Sequence, residues 1–202
     1  MELFVNGEKL DVTLENEKTV GDVLTSFEQT CEKNSLATVG IKLNGHQIEA
    51  SAFDKASAVP LSADTKIELT VVAEKNVADT FISLGTVFQT IADKLKNIPA
   101  LLQSGKDSET GSIISELADA LDQFCHTAAL SALFPDIYGN LKIDNKPVSQ
   151  FFSDFSGVLT DFKKALETKD TVTIGDLAEY EICPRLEAIS EAVKSIHGSS
   201  HE

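Results

Sequence analysis

The chain opens with Met1-Glu2-Leu3-Phe4-Val5-Asn6-Gly7-Glu8, the stretch that decides the fold of its first part. Leu3 and Val5 share one face of an extended chain, because successive side chains of a strand point to opposite sides. Asn6-Gly7 follows, and both residue types accept the positive φ angles of a two-residue β-hairpin. The stretch therefore predicts one strand, a tight turn and a second strand that runs to Leu14.

A helix is predicted next, because apolar residues from Val20 to Cys31 recur every three or four positions. Thr19 is placed to cap this helix, and Asp22 stands three residues later, at the spacing of a capping box. Alternating apolar residues then predict two more strands, around 39–43 and 67–71. The segment between them, 50–63, is predicted to be irregular.

The opening stretch together with Glu17-Lys18-Thr19-Val20-Gly21-Asp22-Val23-Leu24 resembles ubiquitin-like β-grasp domains, in particular the small bacterial sulfur-carrier proteins. The resemblance implies a mixed sheet crossed by one helix. The carrier chemistry of that family uses a free C-terminal Gly-Gly. Here the last strand runs Thr70-Val71-Val72-Ala73-Glu74-Lys75 and continues into more protein. The resemblance therefore implies a fold for residues 1–74, and no catalytic residue is carried over.

From Val77 onward the apolar residues follow the period of a helix. A first seam, Val77 to Leu102, alternates steps of four and three residues, as in a heptad repeat. Three similar stripes follow, around 113–128, 148–166 and 174–196. Four amphipathic stripes predict a four-helix bundle over 77–197, followed by a frayed tail, 198–202. The predicted fold class is α+β, a β-grasp domain followed by an all-α bundle.

The first seam has two interpretations. It packs inside the bundle, or it pairs with the same seam of a second chain to form a homodimer. Both interpretations use the same apolar face, so the sequence leaves them open.

The charge and composition exclude several classes of function. The 202 residues carry 32 acidic and 17 basic side chains, a net charge of −15, and Arg185 is the single arginine. Such a chain repels nucleic acid and lacks the arginines that usually bind phosphate. No apolar run approaches the length of a transmembrane helix, so no membrane insertion is expected.

Sites for catalysis, metals and cofactors are not expected either. The four histidines lie outside the spacings of known metal sites, and no glycine-rich phosphate loop is present. Three widely spaced cysteines, Cys31, Cys125 and Cys183, suit a reducing cytoplasm, and each is interpreted as buried and structural.

Six residues are candidates for partner binding. Phe4 and Val72 point to the outer face of the sheet, which binds a partner or the helical half of the same chain. In the connector 135–147, Leu141 and Ile143 pack back on the bundle or, with Tyr138, form a partner-binding tip. Arg185 follows Pro184, where either a new helix begins or a kink shapes a groove and Arg185 pairs with a carboxylate.

These features predict a cytoplasmic, bacterial, non-catalytic protein that binds another protein as an adaptor, scaffold or assembly chaperone. A secretion or flagellar system is the narrower version, by analogy with other acidic helical proteins. The alternative is an enzymatic or small-molecule-binding helical domain, with a pocket lined by Phe151, Phe155, Phe162 and the region of Cys125.

Overall fold

The computed structural model describes residues 1–196, so the predicted tail, 198–202, lies outside the described residues. The chain divides into two compact units, Met1–Asn76 and Val77–Glu202. The first contains a mixed sheet and the second is mostly helical, which confirms the α+β class. Among the described residues, every helix is too short or too polar to span a lipid bilayer.

Unit 1, Met1–Asn76, is built on a five-stranded sheet with the spatial order β2-β1-β5-β3-β4. Its strands are β1 (Glu2–Val5), β2 (Glu8–Leu10), β3 (Leu36–Leu43), β4 (His46–Gln47) and β5 (Lys66–Ala73). β1 runs parallel to β5, whereas the other neighbouring pairs are antiparallel. Both edge strands of the sheet are short, because β2 has three residues and β4 has two.

The Asn6-Gly7 hairpin is confirmed. Asn6 and Gly7 have φ angles of 51° and 87°, and the residues on either side of them pair across the turn. The second strand, however, ends at Leu10. The prediction that it continues to Leu14 is wrong, and the apolar side chains of that stretch are about 40% exposed.

The helix α1 (Val20–Lys33) crosses one face of the sheet, and its capping box forms as predicted. The Thr19 hydroxyl accepts the backbone N–H of Asp22 at 3.2 Å, and the Asp22 carboxylate accepts the backbone N–H of Thr19 at 2.9 Å. The core between helix and sheet is small, with these buried members: Leu3, Val20, Val23, Ile67 and Leu69. A 3₁₀ turn, Ala50–Ala52, and the short helix α2 (Phe53–Ser57) occupy part of the predicted irregular segment.

Unit 2, which begins at Val77, is dominated by long helices with shorter elements between them. The helices are α3 (Glu74–Leu95), α4 (Ile98–Gln103), α5 (Asp107–Ser131), α6 (Pro135–Tyr138), α7 (Val148–Thr168), α8 (Thr171–Asp176) and α9 (Cys183–Lys194). A small hairpin, β6 (Lys142–Ile143) and β7 (Lys146–Pro147), interrupts them. This hairpin was not predicted; its turn residues Asp144 and Asn145 both have positive φ angles, which these residue types tolerate.

The Val77–Leu102 seam lies mostly within the core of a single chain. Phe81 and Phe88 are fully buried, and both rings contact Phe124 of α5, at centroid distances of 5.3 and 5.9 Å. α3 also approaches α9 closely, since a Cβ at Gly85 would lie 2.6 Å from a Val193 methyl carbon. The apolar face of the seam is therefore largely covered within one chain, which favours packing inside unit 2 over pairing with a second chain.

Candidate functional site

Unit 1 carries a groove that we call the acidic groove. It has a volume of about 840 Å³ and lies between α1, β3 and the segment that follows β4. Its apolar side chains are Leu24, Phe27, Val39, Ile41, Ile48 and Phe53. Its carboxylates are Glu28, Glu32 and Glu49. An apolar surface with charged groups at defined positions is typical of a binding site.

Local folding explains the position of the wall that α1 forms. Leu24, Glu28 and Glu32 follow one another at intervals of four residues, so they lie along one side of α1. The Thr38 hydroxyl of β3 donates to the Glu28 carboxylate at 3.0 Å, which ties the strand to the helix. The wall formed by α1 therefore carries two carboxylates in a row.

The opposite wall is shaped by an irregularity in β3. The pairing of β3 with β5 shifts between Thr38 and Gly40, as in a β-bulge. Val39 stands at this shift and is 44% exposed, and Phe53 across the groove is 40% exposed. Two large apolar side chains are thus left accessible beside the groove.

Negative charge in the groove is not neutralised by the described part of the chain. Its lining includes no lysine, arginine or histidine. Glu28, Glu32 and Glu49 also form none of the ion pairs found among residues 1–196. Glu28 and Glu32, four positions apart on a helix, repel each other. A cationic ligand would relieve this repulsion.

The predicted outer-face residues of unit 1 lie outside this groove. Phe4 and Val72 are half-buried. The Lys66 ammonium lies 4.7 Å from the centre of the Phe4 ring, a cation–π distance. Phe4 therefore already has a cationic partner within its own unit.

In unit 2, Arg185 lines a smaller cleft of about 280 Å³. The chain reaches it through a π-helical segment, Leu177–Ile182, that joins α8 to α9 without a break. Pro184 lies in the first turn of α9, where its missing N–H is tolerated. Helical structure therefore continues through the proline because the turn before it is widened.

The Arg185 guanidinium is held by groups of its own chain. Its Nη1 atom donates to the Glu181 carboxylate at 2.6 Å and to the Glu181 carbonyl oxygen at 2.7 Å. The guanidinium also lies 5.9 Å from the centre of the Phe155 ring. Across the cleft Lys146 donates to Asp154 at 2.8 Å, and this bond holds the pKa of Asp154 below its usual range. Both cations of the cleft are thus paired.

The connector residues are divided between core and surface. Tyr138 and Ile143 are buried, and the Tyr138 ring lies 5.7 Å from that of Phe81. Leu141 is half-buried. Ile143 therefore packs back on unit 2, the first of its two interpretations, and the alternative of an accessible tip does not apply to Ile143 or Tyr138 because both side chains are buried.

The cysteines separate into two kinds. Cys31 and Cys183 are buried, as predicted, and burial raises the pKa of the Cys183 thiol to about 11. Cys125 is exposed, and the prediction of its burial is wrong. It follows Phe124 by one position, about 100° around α5, which carries it off the buried stripe.

The phenylalanines of the proposed small-molecule pocket in unit 2 are buried. Phe151, Phe155 and Phe162 are buried, and the ring centroids of Phe151 and Phe155 are 6.1 Å apart. The exposed Cys125 does not join this set. Phe151 and Phe155 are therefore brought together, whereas Cys125 lies at the surface.

The patterns in the sequence do not single out the groove residues. Val39 lies in a predicted regular strand, and Phe53 lies in the segment predicted to be irregular. A usable signal was present, since Glu28 and Glu32 recur at the helical interval beside the apolar stripe of α1. The bulge that exposes Val39 has no comparable signal, because it depends on pairing with β5.

Residues 79–192 match a family model described as a domain of unknown function (DUF8042). The chain belongs to this family. Residues 1–73 match a second model, described as the TP0873 N-terminal domain. The two matched ranges lie within the two compact units.

A protein of Treponema pallidum (strain Nichols), described as an uncharacterized protein, is similar along nearly its whole length. It is 27% identical over 193 residues, which cover 96% of each chain. No solved structure matches this chain. The similarity to this bacterial protein thus spans both units of the chain.

Proposed function

We propose that this protein is a non-catalytic protein-binding protein, which holds a segment of another protein in the acidic groove of unit 1. The observation that carries the proposal is the groove itself, an opening of about 840 Å³ with exposed apolar side chains and three carboxylates that form no ion pair with the described residues. Pockets that bind ligands usually measure about 300–1,000 Å³. The cleft beside Arg185 is a weaker candidate for a binding site, because its volume is about 280 Å³ and both of its cations are already paired.

Under this proposal unit 1 is a ubiquitin-like β-grasp domain that has kept the fold and lost the carrier chemistry. The strand order β2-β1-β5-β3-β4, with one helix across the sheet, supports this assignment. The chain continues past β5 into α3, where a carrier would end in a free Gly-Gly. Unit 2 is proposed to be a four-helix bundle formed by α3, α5, α7 and α9.

The proposed location is the bacterial cytoplasm. Three free cysteines support a reducing compartment, and the relative in Treponema pallidum supports a bacterial setting. The proposed role is that of an adaptor, scaffold or assembly chaperone. In the narrower version of this proposal, the partner is a component of a bacterial secretion or flagellar system.

Site-specific photo-crosslinking tests the proposal in the native cell. We would introduce p-benzoylphenylalanine in place of Phe53, beside the groove, and in a matched variant in place of Glu8, which is exposed on β2. We expect a discrete covalent protein adduct from position 53 and little from position 8. Equal labelling from both positions, or none from position 53, would contradict the proposal.

A further inference from the structure

We infer that the partner of the acidic groove is an extended, basic segment that joins the sheet of unit 1 as an additional strand beside β3. This inference rests on the proposed function and adds the chemistry of the partner. It specifies the backbone conformation of the bound segment and the sign of its charge.

The edge of β3 is open over part of its length. β3 pairs with β5 from Leu36 to Leu43, whereas β4 pairs with it only at Lys42 and Leu43. One further hydrogen bond follows, from the Ile48 N–H to the Ile41 carbonyl oxygen at 2.9 Å, and the chain then turns into the 3₁₀ segment. Within residues 1–196, no strand pairs with residues 36–40 on this side. An open strand edge is a template for another strand.

The open edge sets the length of the partner. Five residues of β3, Leu36 to Gly40, rise by roughly 3.3 Å each, so the edge is about 16 Å long. An extended segment of about five residues matches it. Main-chain hydrogen bonds supply affinity in this mode of recognition, and alternate side chains supply specificity.

The charges of the groove set the composition of the partner. Glu28 and Glu32 line it from α1 and Glu49 lines it after β4, with no basic residue among the described lining residues. Lysine and arginine side chains lay their aliphatic stems on apolar surface and carry their charges at the tip. Phe27 and Val39 offer that surface next to the carboxylates. Complementary charge therefore favours lysine or arginine at alternate positions of the segment.

Two other occupants fit the groove less well. A helical partner bonds its backbone groups within itself, so it would leave the edge of β3 unpaired. A second copy of this chain, joined symmetrically at this edge, would bring its own Glu28, Glu32 and Glu49 to the same interface. Both occupants are possible results of the experiment below, and each would overturn the inference.

The experiment begins with a phage-displayed library of random 12-residue peptides, panned against the immobilised full chain. Enriched peptides are synthesised, and their binding to the full chain is measured by fluorescence anisotropy. We expect lysine or arginine at alternate positions, and binding that weakens as salt is raised, because screening reduces the attraction between charges. Enrichment of acidic or uncharged peptides would overturn the inference.

Matched variants locate the binding site. The double variant Glu32→Lys with Glu49→Lys reverses two groove charges and leaves the bond between Thr38 and Glu28 in place. Its control, Glu8→Lys with Glu15→Lys, changes the net charge equally at exposed positions outside the groove. We expect at least tenfold weaker peptide binding for the first variant and a change below twofold for the control. Equal effects would overturn the inference.

Hydrogen–deuterium exchange of the full chain tests the strand addition itself. Bound peptide should slow the exchange of the segment that contains Leu36–Gly40, and light scattering should show one chain per complex. Protection elsewhere, protection without residues 36–40, or a doubled mass would overturn the inference.

The two proposals fail separately. If no peptide binds while position 53 still forms a protein adduct in the cell, the inference about an extended basic segment fails and the proposed function stands. If position 53 forms no adduct, the proposed function fails, and the inference that rests on it fails as well.

Discussion

The two units of this protein place their apolar side chains differently. Of the twelve largest fully buried side chains among residues 1–196, eleven belong to unit 2 and one, Ile67, belongs to unit 1. Unit 1 leaves five large apolar side chains exposed within 76 residues: Leu10, Val12, Leu14, Val39 and Phe53. The described part of unit 2, residues 77–196, is longer and leaves four exposed: Val87, Leu133, Val172 and Tyr180. A dense core gives a unit its stability, whereas exposed apolar surface gives it the ability to bind. Under the proposed function, unit 2 is the supporting unit and unit 1 is the binding unit.

The largest expected effect contrasts one buried and one exposed phenylalanine. Phe124→Ala removes a ring that contacts Phe81, Phe88 and Phe152 in the core of unit 2. We expect it to lower the free energy of unfolding by about 3–5 kcal/mol. Phe53→Ala in unit 1, where the side chain is already 40% exposed, should lower it by only about 1–2 kcal/mol. Urea unfolding followed by circular dichroism measures both, and comparable losses would contradict the contrast.

A smaller effect is expected at the start of α1, which forms one wall of the acidic groove. Thr19→Ala removes the hydroxyl that accepts the Asp22 N–H, so we expect a loss of about 1 kcal/mol in the stability of this helix. Thr19→Ser, which keeps the hydroxyl, is the control. Hydrogen–deuterium exchange of Val20–Lys33 provides the measurement, and equal exchange in both variants would show that the cap is dispensable.

The effect at Arg185 should be smaller still. Arg185→Gln breaks the ion pair with Glu181, whose two side chains remain 27% and 44% exposed. Ion pairs accessible to water contribute about 0–1 kcal/mol, so we expect a loss below about 1 kcal/mol. Binding of the peptides selected on unit 1 should not change. A large loss of peptide binding in Arg185→Gln would instead place a binding site in unit 2.

Thiol chemistry distinguishes the cysteines without changing the fold. Cys125 is exposed, although partial burial and nearby Asp122 raise the pKa of its thiol, so it should react slowly with a thiol reagent at pH 8. Cys183, with its pKa raised to about 11 and its Sγ donating to the Ala92 carbonyl oxygen, should not react until the protein unfolds. Native protein should therefore react with about one equivalent of reagent per chain. The Cys125→Ser variant should react with none.

Local signals in the sequence predicted much of the fold. The Asn6-Gly7 turn, the Thr19 cap and the core stripe of α3 depend on residues near one another in the chain, and all three were confirmed. The failures depend on distant residues. Val39 is exposed because of the pairing between β3 and β5, and Tyr138 is buried by Phe81. The acidic groove combines helix, strand and loop, so no single stretch of sequence revealed it.

The division between a binding unit and a supporting unit can be tested by photo-crosslinking from one exposed apolar position in each. We would place p-benzoylphenylalanine at Phe53 in unit 1 or at Val172 in unit 2, where the native side chains are 40% and 71% exposed. Although position 172 is more accessible, we predict a discrete protein adduct in the native cell only from position 53. An adduct from position 172 and none from position 53 would contradict the assignment of binding to unit 1.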